Sequence, residues 1–367
     1  MEENKDFLSK QIITYIGNKR KLLNEINNEI LLIKSKLNKE KISTGDLFSG
    51  SGIVARLLKQ HSSDLYVNDL EEYSYIINDC YLTNKEDFNE EQYLIYLFHI
   101  YDDIELNQIE GIITQNYAPK NDNNIQEGER VFYTHENAKL IDTIRTSIDK
   151  HIDKEEYKKF FIAPLLYEAS VHVNTSGVFK GFYKSKDTKI GKFGGDGENA
   201  LDRIKGKITQ QKPIFSNFNA NIHLYKEDIN TLVDKLPEID VVYLDPPYNQ
   251  HPYGSNYFML NTIINNKITG NLSKISGIPD NWNKSAYNKK NEALNAFNDL
   301  ISKLKAKYII ISYNNEGFIS YQEIIDLLSK YGNVKTKEIE YNTFRGSRNL
   351  QNRNKHVTEY LFILEKN

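Results

Sequence analysis

The run Val241-Val242-Tyr243-Leu244-Asp245-Pro246-Pro247-Tyr248 constrains the fold more than any other stretch of the chain. Four apolar residues ended by two prolines read as a buried strand that must stop at once, because proline has no N–H and fixes φ. In open α/β sheets the carboxyl ends of the strands are where sites assemble. This segment therefore sets a carboxylate, a stiff turn with free carbonyls and an aromatic ring at a strand's carboxyl edge. Asp245 and the Pro246 carbonyl can both accept hydrogen bonds from the exocyclic NH2 of a planar heterocycle. Tyr248 can stack on that ring, a contact worth roughly 1–3 kcal/mol. Pro246 and Pro247 hold the acceptors in place before a substrate arrives.

Asp-Pro-Pro-Tyr after an apolar strand resembles motif IV of the amino-group methyltransferases, specifically the adenine-N6 DNA methyltransferases. Further stretches extend the likeness to the Dam-like, D12-class group, over residues 10–80 and 220–365. The resemblance implies an α/β fold: a Rossmann-like, S-adenosylmethionine-dependent methyltransferase sheet that closes with a C-terminal antiparallel hairpin. It also implies an inserted, mainly helical target-recognition domain. The expected division is 1–83 for the cofactor half, 84–219 for the insertion and 220–367 for the catalytic half.

Near the start, Tyr15-Ile16-Gly17-Asn18-Lys19-Arg20 precedes an amphipathic pattern running to about Leu37. A glycine turn at a helix start exposes N–H groups and suits an anion. The segment resembles motif X of the same group, and by position the resemblance gives Tyr15 and Lys19 a contact with S-adenosylmethionine. Tyrosine stands there in place of the tryptophan of some members.

Thr44–Leu58 reads as strand, glycine turn and helix, with Gly50 and Gly52 free of Cβ where a backbone must approach a ligand. Gly50-x-Gly52-x-x-Ala55 also satisfies the relaxed dinucleotide fingerprint, and Asp69 follows the next strand-like run, Leu65-Tyr66-Val67, at the right distance. A nicotinamide or flavin enzyme is thus a competitor. Asp46-x-Phe48 before the glycines, which resembles methyltransferase motif I, and the distant Asp-Pro-Pro-Tyr separate the two. Asp228, at the tip of the strand-like Asn221–Ile229, resembles the motif III acid that accepts from the cofactor's adenine, although as a helix N-cap it needs no ligand.

Between 84 and 219 the sheet rhythm disappears. Phe88–Gln108 and Thr134–Ile152 read as helices, and Phe161–Ser170 as a helix after a break at Pro164. Val171–Lys184 then interleaves Asn, Ser, Thr, Lys and aromatics, the vocabulary of phosphate and base-edge contacts. Asn174, Lys180 and Lys184 are the DNA-contact candidates there. The span Lys180–Lys212 holds nine Lys or Arg against four acids, and Lys335–Lys355 six against two. Both can face phosphates although the net charge is −3. Asn333–Tyr341 and Val357–Leu364 read as antiparallel strands around a basic loop that contributes Arg345 and Arg348.

Cys80 stands alone, which removes an internal disulfide and any cysteine metal cluster, and eight scattered histidines give no ligand spacing. No long apolar run or signal-peptide pattern is present, so a soluble cytoplasmic protein is expected. The resemblance implies double-stranded DNA as its partner, on which a monomer is expected to act. The reaction that the resemblance implies is methylation of the N6 amine of an adenine flipped out of duplex DNA, within a restriction-modification system whose endonuclease acts on the same site. Cytosine-N4 methylation, RNA adenine methylation and a catalytically inactive nucleic-acid-binding module are the alternatives.

Overall fold

The computed structural model describes residues 2–10, 13–195, 200–342 and 356–367. Seven strands form one sheet: β1 (Ile42–Asp46), β2 (Ser62–Asn68), β3 (Asn221–Tyr225), β4 (Ile239–Leu244), β5 (Ala306–Asn314), β6 (Gly332–Asn342) and β7 (His356–Lys366). Their order is β3-β2-β1-β4-β5-β7-β6. The first five are parallel, and β7 lies antiparallel between β5 and β6. The expected Rossmann-like sheet with its closing hairpin is the observed one. Both hairpin strands run slightly longer than their apolar patterns.

Strand β4 is buried on both sides, which is why it reads as an unbroken apolar run rather than an alternation. Val241 and Tyr243 pack with Ile26, Ile30 and Ile33 of helix Leu23–Leu37. Val242 and Leu244 pack on the other face with Phe297, Leu300 and Ile301 of helix Ala293–Lys303. Each fully buried side chain of this size contributes roughly 1.5–3 kcal/mol, so the two layers fix the register of β4.

The chain leaves β1 toward β2 and β3 on one side, and leaves β4 toward β5 on the other. The carboxyl ends of β1 and β4 are therefore neighbours at the point where the winding reverses, with Asp46 paired to Tyr243. This is where such sheets open a crevice.

Between β2 and β3, helices Glu90–Leu106, His135–His151 and Glu155–Val171 build a separate hydrophobic cluster, to which each contributes fully buried side chains, Ile100, Ile144 and Phe161 among them. Asn89 and Thr134 cap the first two by accepting from Gln92 and Asn137 N–H. Pro164 does not break the third, contrary to the sequence expectation. A mid-helix proline costs about 3 kcal/mol. Phe160, Phe161, Leu165 and Leu166 around it are all buried, and their packing outweighs that cost. The cluster also takes in Tyr73 and Ile77 from helix Glu72–Tyr81 and Leu260 from helix Phe258–Asn265, so the inserted helices grip the sheet layer beside the crevice.

Candidate active site

A cleft of about 880 Å³, open solvent included, lies over the ends of β1, β2 and β4, and Asp46, Asp69, Asp228 and Asp245 all line it. The sequence candidates from four distant segments thus meet in one place.

The glycine loop is held by local geometry. Gly50 and Gly52 adopt φ of +51° and +75°, and a Cβ on Gly50 would sit 2.9 Å from Tyr15 Cε1. Asp69 Oδ2 accepts from the Gly50 N–H at 2.7 Å, and Oδ1 from the Glu71 N–H at 3.0 Å. Tyr15 is stacked on Tyr253 (5.1 Å between centroids, 11° between planes) and on Tyr257 (4.8 Å, 21°). Phe48 meets Tyr287 edge to face at 5.1 Å. Asp228 caps the short helix after β3 by accepting from the Asn230 N–H at 3.0 Å, while also lining the cleft.

Asp46 is only 1% exposed, and among the described residues neither carboxylate oxygen meets a donor in hydrogen-bond geometry. Burial and the nearby Asp245 charge push its carboxyl well above the usual range; the Ala55 and Phe48 N–H groups only temper this. A bare buried carboxylate calls for a cation. The cleft also holds Asp69, Glu71, Asp228 and Asp245, against Lys19 as the one lining Lys or Arg among the described residues, beside apolar walls at Phe48, Ile53, Val54 and Ile229. An adenosine bearing a sulfonium and an ammonium fits such a lining, and S-adenosylmethionine is that molecule.

Lys19 is placed differently from a simple cofactor contact. Its ammonium lies 3.0 Å from Asp245 Oδ1 and 3.1 Å from Glu359 Oε1, and donates to the Gly17 carbonyl at 3.2 Å. Burial pulls its pKa down, but the two carboxylates outweigh this and hold it well above its ordinary value. Lys19 therefore stays charged. Asp245 is pushed up to about 7, first by burial and then by Glu359, with Lys19 opposing. One ammonium cannot neutralise two carboxylates, and the excess charge is felt at Asp245.

Pro246 is buried and, among the described residues, its carbonyl meets no hydrogen-bond donor; Pro247 lines the cleft beside it. Half-buried Tyr248 meets Tyr313 edge to face at 6.1 Å, and its carbonyl accepts from the Phe318 N–H.

The DNA-contact candidates fare unevenly. Asn174 must be corrected: it is fully buried, its amide donates to the carbonyls of Val131 (2.7 Å) and Lys192 (2.8 Å), and its oxygen accepts from the Gly194 N–H (2.9 Å). With its polar atoms engaged it organises the loop and does not face a nucleic acid. Lys180 is half-buried, with its carbonyl receiving Ser276 Oγ, and Lys184 lies over the Phe182 ring at 4.9 Å. Arg345 and Arg348 lie outside the described residues.

Two site residues escaped the sequence reading. Glu359 left a faint mark, an acid just before the apolar run Tyr360–Leu364. Glu71 is 3% exposed, lines the cleft and is pushed up to about 7 by burial and by Asp69. Nothing but its closeness to Asp69 could have singled it out.

Sheet order, bare acid and the Asp-Pro-Pro-Tyr turn that ends β4 point to an S-adenosylmethionine-dependent methyltransferase of the amino-group type. Residues 15–327 match the family of D12 class N6 adenine-specific DNA methyltransferases. The Type II methyltransferase M.NlaIII of Neisseria lactamica is 31% identical over 363 residues, covering 96% of this chain and 99% of that protein. M.CviAII of Paramecium bursaria Chlorella virus 1 is 31% identical over 360 residues, covering 96% and 98%. M.FokI of Planomicrobium okeanokoites is 30% identical over 365 residues, which is 96% of this chain and 52% of that one. The chain belongs to the D12 class of N6 adenine-specific DNA methyltransferases. Its reaction is transfer of the methyl of S-adenosylmethionine to the N6 amine of adenine in DNA, so the nicotinamide or flavin alternative falls. Among the described residues no helix is long and apolar enough to cross a membrane.

Proposed function

We propose that Asp245, Pro246, Pro247 and Tyr248 form the transfer site, and that Tyr15, Asp46, Phe48, Gly50, Gly52, Asp69 and Asp228 make the cofactor half of the cleft. Lys19 belongs to both. The observation that carries this reading is the position of Asp245 beside the bare Asp46 carboxylate, at the ends of adjacent strands within one cleft. When bound, S-adenosylmethionine supplies an electrophilic methyl on a positively charged sulfur. Asp245 and the Pro246 carbonyl accept the two N6 hydrogens of adenine and turn the nitrogen lone pair toward the cofactor half. Because Lys19 neutralises part of the charge at Asp245, the carboxylate stays available as an acceptor near neutral pH. Tyr248 stacks on the base and offsets part of the few kcal/mol needed to flip it from the duplex. No cysteine nucleophile is needed, and Cys80 is buried away from the cleft.

The inserted segment 84–219 serves as the target-recognition domain, and Lys180 and Lys184 meet phosphates on its basic loop. The names of the similar relatives support a role as the modification enzyme of a restriction-modification system. In that role the enzyme works in the cytoplasm as a monomer on DNA, paired with an endonuclease that acts on the same site.

The test is Asp245→Ala, assayed for labelled methyl transfer to unmethylated genomic DNA with nucleoside analysis of the product. Wild type yields N6-methyladenine. The variant loses at least about 10²–10³-fold in rate, the usual effect of removing a positioned polar group, while its affinity for S-adenosylmethionine stays within about tenfold. Undiminished transfer by this variant would sink the assignment.

A further inference from the structure

Glu359 lies outside the segments that supply the rest of the transfer site. It sits in β7, opposite Asn314 of β5, and is fully buried. Its Oε1 accepts a hydrogen bond from Ser312 Oγ and lies 3.1 Å from the Lys19 ammonium. A buried carboxylate is costly unless paired. Here the pairing cation is the same ammonium that touches Asp245. A residue needed only to hold the sheet together would more simply be apolar, as its strand neighbours Leu361 and Phe362 are.

We propose that Glu359 is a positioning residue for methyl transfer, holding Lys19 against Asp245 and controlling, through its charge, whether that carboxylate meets the target amine as an anion. The inference rests on the assignment of Asp245 as the amine acceptor. Among the described residues, the charged or titratable groups that face Asp245 are Lys19 from the N-terminal loop, Asp46 from β1, Tyr243 from β4, Tyr248 and Tyr253 from the following turn, and Glu359 from β7. Lys19 alone among them is cationic, and it is divided between two anions. Removing the Glu359 charge leaves the ammonium to Asp245 alone, so Asp245 ionises more readily. Removing the whole side chain also frees Lys19 to leave its place.

Glu359→Gln keeps the size of the side chain and its ability to accept from Ser312 and Lys19; Glu359→Ala keeps neither. The first readout is an infrared pH titration of the unliganded protein, following the protonated-carboxyl band that disappears in Asp245→Asn. In Glu359→Gln its midpoint moves down by about one pH unit or more. The acidic limb of the single-turnover rate on genomic DNA, with saturating S-adenosylmethionine, moves in the same direction. In Glu359→Ala the rate at the optimum falls about tenfold or more, as expected when a positioning contact is lost. A Glu359→Gln protein whose titration and rate profile superimpose on wild type overturns the proposal, and this variant decides the matter if Glu359→Ala does not fold. Asp245→Ala run alongside separates the two failures. Activity there defeats the acceptor assignment itself, whereas an inert Asp245→Ala beside an unshifted Glu359→Gln defeats only the role of Glu359.

Discussion

Replacing Lys19 with methionine should convert the centre of the site from a mutually neutralising cluster into two buried carboxylates with no cation between them. Lys19 is 4% exposed, and its ammonium lies 3.0 Å and 3.1 Å from the two acids. At that distance each attraction is worth about 5 kcal/mol in an effective dielectric of about 20. Much of this only offsets the burial of three charges, and the measured cost of removing one partner from such a cluster is roughly 3–5 kcal/mol. Methionine fills the space of the stem, so the loss is mainly electrostatic. Its sign with pH follows from linkage. Without the ammonium, the folded-state pKa of Asp245 rises further above both its present value of about 7 and its unfolded value. An acid with a raised folded pKa keeps its proton in the native state while the unfolded chain has lost it. Wild-type Asp245 keeps its own proton up to about pH 7, so stability relative to wild type falls only as pH rises above about 7, and keeps falling until the variant's folded pKa is passed. Urea denaturation of the unliganded protein should show a deficit of about 3–5 kcal/mol near pH 8 that shrinks toward about pH 5. Methyl transfer should be lost at neutral pH, where Asp245 holds a proton, and partly return under alkaline conditions. Wild-type stability near pH 8, or an equal deficit at both pH values, would show that charge is not what holds this centre together.

Two further substitutions probe the loops on either side. Gly50→Ala forces a side chain into φ of +51° with its Cβ 2.9 Å from the Tyr15 ring; the left-handed conformation alone costs about 1–2 kcal/mol. Calorimetry should therefore show S-adenosylmethionine affinity about 10- to 100-fold weaker, and unchanged affinity would mean the turn does not shape the cofactor half. Asn174→Ala strips the donor and acceptor that tie Val131, Lys192 and Gly194 together, lowering stability by about 2–3 kcal/mol. Mapping of methylated adenines should find the same recognition sequence, and an altered one would restore Asn174 as a base reader.

What the sequence disclosed was set by how far each constraint reaches along the chain. Val241–Leu244 announced a two-sided buried strand because burial on both faces leaves every residue apolar, and the prolines marked its end. Gly50 and Gly52 were legible for the same reason, since positive φ is a local demand. Asn174 misled because an amide that binds DNA and one that ties down its own backbone look identical in a sequence; only the carbonyls of Val131 and Lys192 decide between them. Pro164 misled because local propensity carries no knowledge of the buried cluster that offsets its cost and lets the helix run on through it. The pairing of Lys19 with Glu359 was the least accessible. It exists because β7 inserts antiparallel between β5 and β6 and so returns the end of the chain to the crevice over β4. Motif reasoning finds the groups that touch a substrate, since their chemistry restricts residue type over a few positions. A group that acts on the substrate through another side chain needs only the right charge at the right point in space, and any strand that the topology brings there can supply it.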